Sequence, residues 1–365
     1  MKIRFFHLFF CLFFLACGYK KQALIIDNNS LRCDTVLLPN MDHRSLIFYT
    51  TDKGNIAFSY ISMSKTHICK NVAGQIIDSF KIPLEYQQNP HLLYSISDSS
   101  LYILNKDANT IEIINPHSSM LHEFVASFEA EKSLTAVFFQ PEMHEKEFLL
   151  MSIPHYFIPE KKQREQYFKS KILGIFSLTD NKILLKKTIA SFPFIYQKKY
   201  YHSCYPITTT IHDGIVYYIF NNTDSLHLFD ILQDKETVIK LSIQDFQMRE
   251  FNMDSLSNTY IQNYRVSNPY YEKIIYDPIS KCHAIFQTEG MNTNSLEDGF
   301  MSIYTDKPLN IYIIDSNFQT VKKIRFSSQK GYHFYSSFFY NNKLFIPNDS
   351  ETDTTAMFVY HLSNQ

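Results

Sequence analysis

The chain contains no tryptophan, has only 8 glycines in 365 residues, and carries a formal net charge of −1. Each absence excludes something. Without tryptophan, the usual ring platform of a dedicated glycan binder is missing, although tyrosine can stack on sugars. With so little glycine, tight turns must close on Asn, Asp and Ser, which tolerate left-handed or Asx-turn backbone. The even charge, with no strongly basic block, gives no reason to expect nucleic acid as a partner. The sequence lacks CxxC, HExxH, GxSxG, a Walker loop and a dinucleotide fingerprint. His144-Glu145 has no second zinc-helix histidine, and Asp349-Ser-Glu-Thr-Asp353 lacks the glycine and distal glutamate of a calcium loop. Asp98, Asp107 and Asp180 sit where turns are expected. No cofactor, no metal and no catalytic residue is therefore assigned.

What is present begins with an export signal. Lys2 and Arg4 precede an apolar segment from Phe5 to Ala16, broken by His7. It holds about a dozen residues, against about 20 for a membrane-spanning helix. Phe14-Leu-Ala-Cys17 resembles a lipobox, with Phe where Leu is usual. Residues 1–16 then form a signal peptide, Cys17 is the lipidated first residue of the mature chain, and 17–31 form a tether. The alternative is an ordinary signal peptide that happens to contain Cys. Acyl chains on Cys17 would hold the protein at a membrane, each buried methylene contributing about 0.8 kcal/mol.

The remainder, at 45% hydrophobic residues overall, is ample for a core and fits one large domain, 32–365. Helical periodicity is weak. Strand–turn–strand runs recur instead: Leu101–Leu104 and Thr110–Ile114 around a polar turn; Ile215–Phe220 and Ser225–Phe229 around Asn221–Asp224; Asn310–Ile314 and Thr320–Phe326 around Asp315–Phe318. Grouped in fours they occupy 44–82, 91–127, 134–189, 205–241, 259–326 and 333–361. The last group has three strands, at 333–340, 343–347 and 356–361. The segment Asp34–Pro39 could complete it. The expected fold is therefore all-β: a β-propeller of six four-stranded blades closed by an N-terminal strand. Seven blades, and two β-sandwiches, are the alternatives. That closing strand begins about seventeen residues after Cys17, a reach of at most about 55 Å.

Extra length falls at 154–170, 190–204, 242–258 and 288–308, four long loops expected on one face. On them His155, Arg164, Tyr196, Tyr200, Tyr201 and His202, with Phe194, Lys198 and Lys199, could bind an acidic or sugar-like ligand by stacking and ion pairing. The alternative is that the rings pack loops onto blades. Arg265, Tyr270, Tyr271 and Glu272 form a second candidate with the same alternative. Cys33, Cys69, Cys204 and Cys282 allow three disulfide pairings, or buried free thiols.

Ile274-Ile-Tyr-Asp-Pro278, the strand Cys282-His-Ala-Ile-Phe286, Ile314-Asp315 with Asn317-Phe318, and Leu344-Phe-Ile-Pro-Asn348 resemble an uncharacterised Bacteroidota lipoprotein family with a propeller-like domain. The likeness covers about the last hundred residues and the lipobox. Where relatives carry a Tyr-Tyr-Arg-like run, this chain has His283-Ala284-Ile285. The resemblance implies fold and location rather than activity. In such lipoproteins an acidic stretch after the Cys accompanies surface display. Here Lys20-Lys21 makes it basic, implying an outer-membrane protein facing the periplasm. Asp34-Thr-Val36, Asp224-Ser-Leu226, Asp254-Ser-Leu256 and Asp353-Thr-Thr355 resemble that group's O-glycosylation signal, with Ser255 and Thr354 in expected loops.

Three functions fit: a lipid-anchored, non-catalytic module binding an envelope protein or small ligand; an envelope hydrolase or lyase acting on glycan or peptide; and a structural partner in an envelope complex. Convergence of His155, His202, Arg265 and Glu272 would favour the enzyme.

Overall fold

The structure, a computed structural model, describes residues 25–26, 33–39, 47–50, 56–61, 66–71, 75–81, 92–97, 100–105, 110–115, 120–127, 142–144, 148–152, 168–169, 171–179, 182–202, 206–241, 243, 246–252, 257–277, 279–292, 306–329, 331–349 and 354–361. Up to 152 the description is chiefly of strand backbone. Cys17, the signal, most of the tether, His155, Arg164, Cys204 and Ser255 lie outside the described residues.

Short strands run in chain order as antiparallel meanders. The first is β3 (Ile47–Thr50), β4 (Ile56–Ile61), β5 (Thr66–Asn71) and β6 (Ile76–Lys81). The second is β7 (Leu92–Ser97), β8 (Ser100–Asn105), β9 (Thr110–Asn115) and β10 (Met120–Ser127). The third is β11 (Glu142–His144), β12 (Phe148–Ser152), β13 (Lys171–Thr179) and β14 (Lys182–Ser191). The fourth is β15 (Pro206–His212), β16 (Ile215–Phe220), β17 (Ser225–Asp230) and β18 (Lys235–Lys240). The fifth is β19 (Tyr270–Asp277), β20 (Cys282–Thr288), β21 (Leu309–Ile314) and β22 (Thr320–Phe326). The last is β23 (Phe338–Tyr340), β24 (Lys343–Asp349) and β25 (Thr354–His361). Its fourth strand is β2 (Cys33–Pro39), antiparallel to β25 with Val36 opposite Met357. A two-residue strand, β1 (Ile25–Ile26), pairs with the edge of β22.

The turns explain how the chain manages with little glycine. Asp213 and Gly214 both take positive φ between β15 and β16, as do Asn341 and Asn342 between β23 and β24. Two consecutive left-handed residues give the turn whose twist matches a hairpin. Between β21 and β22, Asp315 Oδ1 accepts the backbone N–H of Asn317 and Gln319, an Asx turn that holds Phe318 at φ +61°.

Side chains alternate between two buried faces. On β16, Val216, Tyr218 and Phe220 pack against Leu173, Ile175 and Ile189 of the third meander, while Ile219 packs against Ile274 and Ile285 of the fifth. On β20 and β21, Phe286 and Ile311 face Leu344, Ile346 and Tyr360 of the last meander, while Tyr312 and Ile314 face the fourth. A strand buried on both faces reads as a continuous apolar run, as Leu309–Ile314 does. Each fully buried Ile, Val or Phe contributes about 1.5–3 kcal/mol relative to exposure. From the third to the last, the meanders stack face to face in chain order, and the fold is mostly β and propeller-like.

Four expectations need correction. The fifth unit does not start with a strand at 259. Residues Asn258–Ser267 form helix α2, with Ser257 Oγ accepting the N–H of Tyr260 at 3.2 Å and Arg265 in the last turn. Residues 333–337 are not strand; Phe334–Ser336 form a 3-10 turn before β23. The second and third units share one eight-stranded sheet, because β10 and β14 pair in parallel, Ala126 opposite Ile183. Both are last strands of their meanders. Thr354, expected in a loop, begins β25 opposite Pro39. Among the described residues, no helix is long and apolar enough to cross a membrane.

Candidate functional site

The fourth meander carries a hydrogen-bonded trio across three adjacent strands. Tyr218 on β16 stands directly opposite His227 on β17, and the rings stack at 4.8 Å with a 17° interplanar angle. Glu236 on β18 is diagonal to His227, whose direct partner is Val238. His227 Nδ1 lies 2.8 Å from Glu236 Oε1, and the Tyr218 hydroxyl donates to the same oxygen. Burial alone would raise the Glu236 pKa. The hydrogen bonds from His227 and Tyr218, with the nearby Lys171 charge, outweigh it and hold the carboxyl below its ordinary range. Tyr218 is pushed up, by burial first and then by Glu236. The trio is thus a carboxylate accepting two donors, with the Nδ1–H of His227 committed to it. In the neutral ring, that leaves Nε2 as a lone-pair acceptor.

A cleft of about 510 Å³ opens beside this trio. Its polar side is Asn222, Thr223, Asp224, Ser225 and His227. These come from the β16–β17 turn and the start of β17, a turn fixed by Tyr271 N–H to Asn221 O (2.8 Å) and Leu241 N–H to Asp224 O (2.7 Å). Its apolar side is Pro193, Ile195, Val238, Phe246 and Met248, with Tyr201 completing the wall. Ile195 belongs to the single-turn helix α1 (Ile195–Lys198). Of the lining, Ile195 and Val238 are 37% and 56% exposed, so the rim on that side is apolar. Among the described residues, His227 Nε2 and Thr223 Oγ1 are buried with no hydrogen-bond partner. An unmet buried polar group costs about 1–3 kcal/mol, so such atoms in native proteins call for a reason. Here both residues line the one cleft.

The tyrosines expected to meet ligand mostly pack inward. Tyr196, on α1, is fully buried among Phe168, Phe192, Tyr201 and Phe220, and its hydroxyl donates to Asn222 Oδ1. Tyr200 packs edge-on against Phe251. Tyr201, buried apart from one edge, lines the cleft. His202 lies over Phe251, with its pKa lowered by burial and then by Arg265. Tyr271 is buried and stacked on Phe246 at 4.3 Å, and burial raises its pKa.

Around the end of α2 a second group assembles. Lys307, fully buried, donates to Arg265 O (3.0 Å) and Asn268 O (2.8 Å) and lies 5.2 Å from the Tyr270 ring. A cation on the last carbonyls of a helix offsets their negative end. Burial brings the Lys307 pKa down to about 8, with Glu272 pulling it up and Arg265 pushing it down. Glu272 accepts from the hydroxyls of Thr288 (3.3 Å) and Tyr335 (2.8 Å). The α2 end is so tightly docked that a Cβ at Gly290 would stand 2.2 Å from Ser267 O. Arg265, Tyr270 and Glu272 therefore surround a buried lysine that anchors the helix, and His202 is within electrostatic reach of Arg265. Cys282 is a free, partly buried thiol packed against the core of the last two meanders. Among the described residues, no cluster of His, Cys, Asp or Glu could hold a metal.

Sequence reasoning passed over Thr223, His227 and Glu236. The signal was present: the turn Asn221–Asp224 fixes the register that sets Tyr218 against His227.

No protein-family model and no curated protein sequence matches the chain. Among solved structures it resembles a member of the DUF4221 family from Bacteroides vulgatus, with a TM-score of 0.70 and 12% identity over 94% of this chain and 99% of that one. At that identity the likeness shows a shared fold. It also resembles a streptogramin B lyase (TM-score 0.43, 8% identity, 90% and 98% covered) and BamB from Moraxella catarrhalis (0.39, 9%, 94% and 97%).

Proposed function

We propose that the chain is a lipid-anchored envelope protein whose six-bladed, propeller-like domain binds a small ligand in the cleft of its fourth blade, without transforming it. It is a divergent member of an uncharacterised Bacteroidota lipoprotein family. The observation that carries the binding reading is the pair of unmet buried polar atoms, His227 Nε2 and Thr223 Oγ1, on residues of one cleft. Its volume is within the range of small-molecule sites. The blade count rests on the meander order, with β10 and β14 touching as the outer strands of neighbouring blades and β2 completing the sixth.

The anchor follows from Phe14-Leu-Ala-Cys17. Because β1 pairs with β22 from Ile25 onward, only the seven residues 18–24 separate Cys17 from the body, a reach of at most about 28 Å. The edge of the fifth blade is thus held close to the membrane, on the periplasmic side of the outer membrane.

One preparation tests both halves. A fatty-acid analogue labels the wild type and not Cys17→Ala, and intact cells resist protease shaving; label retained in the variant removes the anchor, and shaving sensitivity moves the protein to the surface. The purified full chain melts higher in a small-molecule extract of the envelope, because a ligand at about a hundred times its Kd stabilises by about 2.7 kcal/mol. Thr223→Val loses that shift; an equal shift in both proteins removes the cleft reading.

A second reading, an envelope hydrolase or lyase, draws on the Glu236–His227 pair, since a carboxylate-held imidazole is the form of a general base. Turnover of a bound compound, abolished by His227→Phe, would select it.

A further inference from the structure

We infer that the cleft takes a neutral, hydroxyl-rich ligand of the carbohydrate class, which donates hydrogen bonds to His227 and Thr223. This rests on the cleft being the binding site. The chemistry of the lining carries it. No Lys or Arg lines the cleft, and its one charged group is the Asp224 carboxylate. The exposed Lys240 stands 4.0 Å from that carboxylate without lining the cleft, so an anionic ligand inside would meet Asp224 and no cation of the lining. The remaining polar groups are the hydroxyls of Thr223 and Ser225, the Asn222 amide and the His227 ring. Of these, Asn222 Oδ1 already accepts from Tyr196, and the Nδ1–H of His227 is committed to Glu236. With the His227 ring neutral, the unmet capacity is therefore chiefly for acceptance: the Nε2 lone pair and the Thr223 hydroxyl. A ligand offering many O–H donors answers it, and the opposite wall, with Tyr201, Phe246, Ile195 and Val238, matches the C–H faces of a sugar ring.

Both acceptor atoms are covered in this conformation. Their engagement requires the lining to give slightly. Met248, unbranched and half-buried on the same wall, is the side chain best able to do so.

The two neighbouring readings separate on this chemistry. An acidic ligand, one of the two classes expected from the basic, aromatic loop residues, is disfavoured because Lys198 and Lys199 are exposed and neither lines the cleft. A polyamine would satisfy Asp224 but leave the hydroxyl of Thr223 and the lone pair of His227 to one or two N–H groups.

The test is calorimetric titration of the full chain, in a detergent without a sugar headgroup, with cellobiose, maltotriose and chitobiose, with digalacturonate, and with spermidine. At least one neutral sugar binds, and digalacturonate and spermidine bind tenfold more weakly or worse. Ser225→Phe, which fills the cleft, abolishes binding; Thr223→Val weakens it at least tenfold; Leu232→Ser, exposed in the β17–β18 turn, leaves it unchanged. Tighter binding of digalacturonate or spermidine that Ser225→Phe abolishes overturns the ligand class and leaves the cleft standing. Sugar binding indifferent to Ser225→Phe overturns both. If no compound binds at millimolar concentration, the class is rejected, and the envelope-extract shift decides the cleft separately.

Discussion

Replacing Tyr196 with alanine lowers the stability of the chain by about 4 kcal/mol, the range for truncating a fully buried large aromatic side chain. Tyr196 is fully buried and contacts four other rings: Phe168, Phe192, Tyr201 and Phe220. Each well-placed ring pair adds about 0.5–1.5 kcal/mol beyond area alone. Helix α1 has four residues and no side-chain cap, so packing rather than propensity holds it. The same side chain ties α1 to the cleft through its hydroxyl on Asn222. The alanine variant therefore also loses ligand binding. Tyr196→Phe keeps the packing and loses only the hydrogen bond, a change of about 1–2 kcal/mol. Urea denaturation of the two variants measures the difference. A loss under about 1 kcal/mol in the alanine variant would mean that α1 does not seat this ring in the core.

His283→Phe raises stability, and the gain grows as the pH falls from 6.5 to 4. His283 is 2% exposed at the start of β20, between the rings of Tyr217 and Tyr276, each at 4.7 Å. Both its ring nitrogens are buried with no partner among the described residues. Burial lowers its pKa from 6.5 to about 4. Between those values the unfolded chain binds a proton that the folded chain refuses, so native stability drains away as pH falls through that window. At about 1.4 kcal/mol per pH unit, the total is about 3 kcal/mol by pH 4. Phenylalanine keeps the ring contacts and removes the titration. At neutral pH it gains about 1–3 kcal/mol by deleting two unmet polar atoms. Denaturation curves across the window, taken as wild type minus variant, isolate this group from the others. Parallel pH profiles would place His283 in contact with solvent or a partner, contrary to the burial described.

Much of the framework was legible in the sequence. Asn221–Asp224 and Asp315–Phe318 close hairpins, the second on the Asx turn of Asp315, and Asp34–Pro39 pairs with the last strand as its composition suggested. Helix α2 was hidden because Tyr260, Ile261, Tyr264 and Val266 have strand-like composition; its start is written in Ser257, a single cap residue. The parallel contact of β10 and β14 depends on two strands more than fifty residues apart, and no local pattern encodes it.

The candidate site was less legible. Tyr196, Tyr200, Tyr201, Tyr270 and Tyr271 stand out by composition, yet a ring on a long loop is as apt to pin that loop to a sheet as to face a ligand. Nothing local marks Lys307, because the carbonyls that enclose it belong to Arg265 and Asn268 at the end of α2, about forty residues away. The His227–Glu236 pair spans two strands and nine residues, so register had to be known before the chemistry could be seen.

The most direct measurement is a crystal structure of the full chain with the envelope compound that raises its melting temperature. The account predicts the compound in the fourth-blade cleft, against Tyr201 and Phe246, with one donor on His227 Nε2 and another on Thr223 Oγ1. Density for the compound elsewhere on the molecule, with those two atoms still unmet, would contradict it.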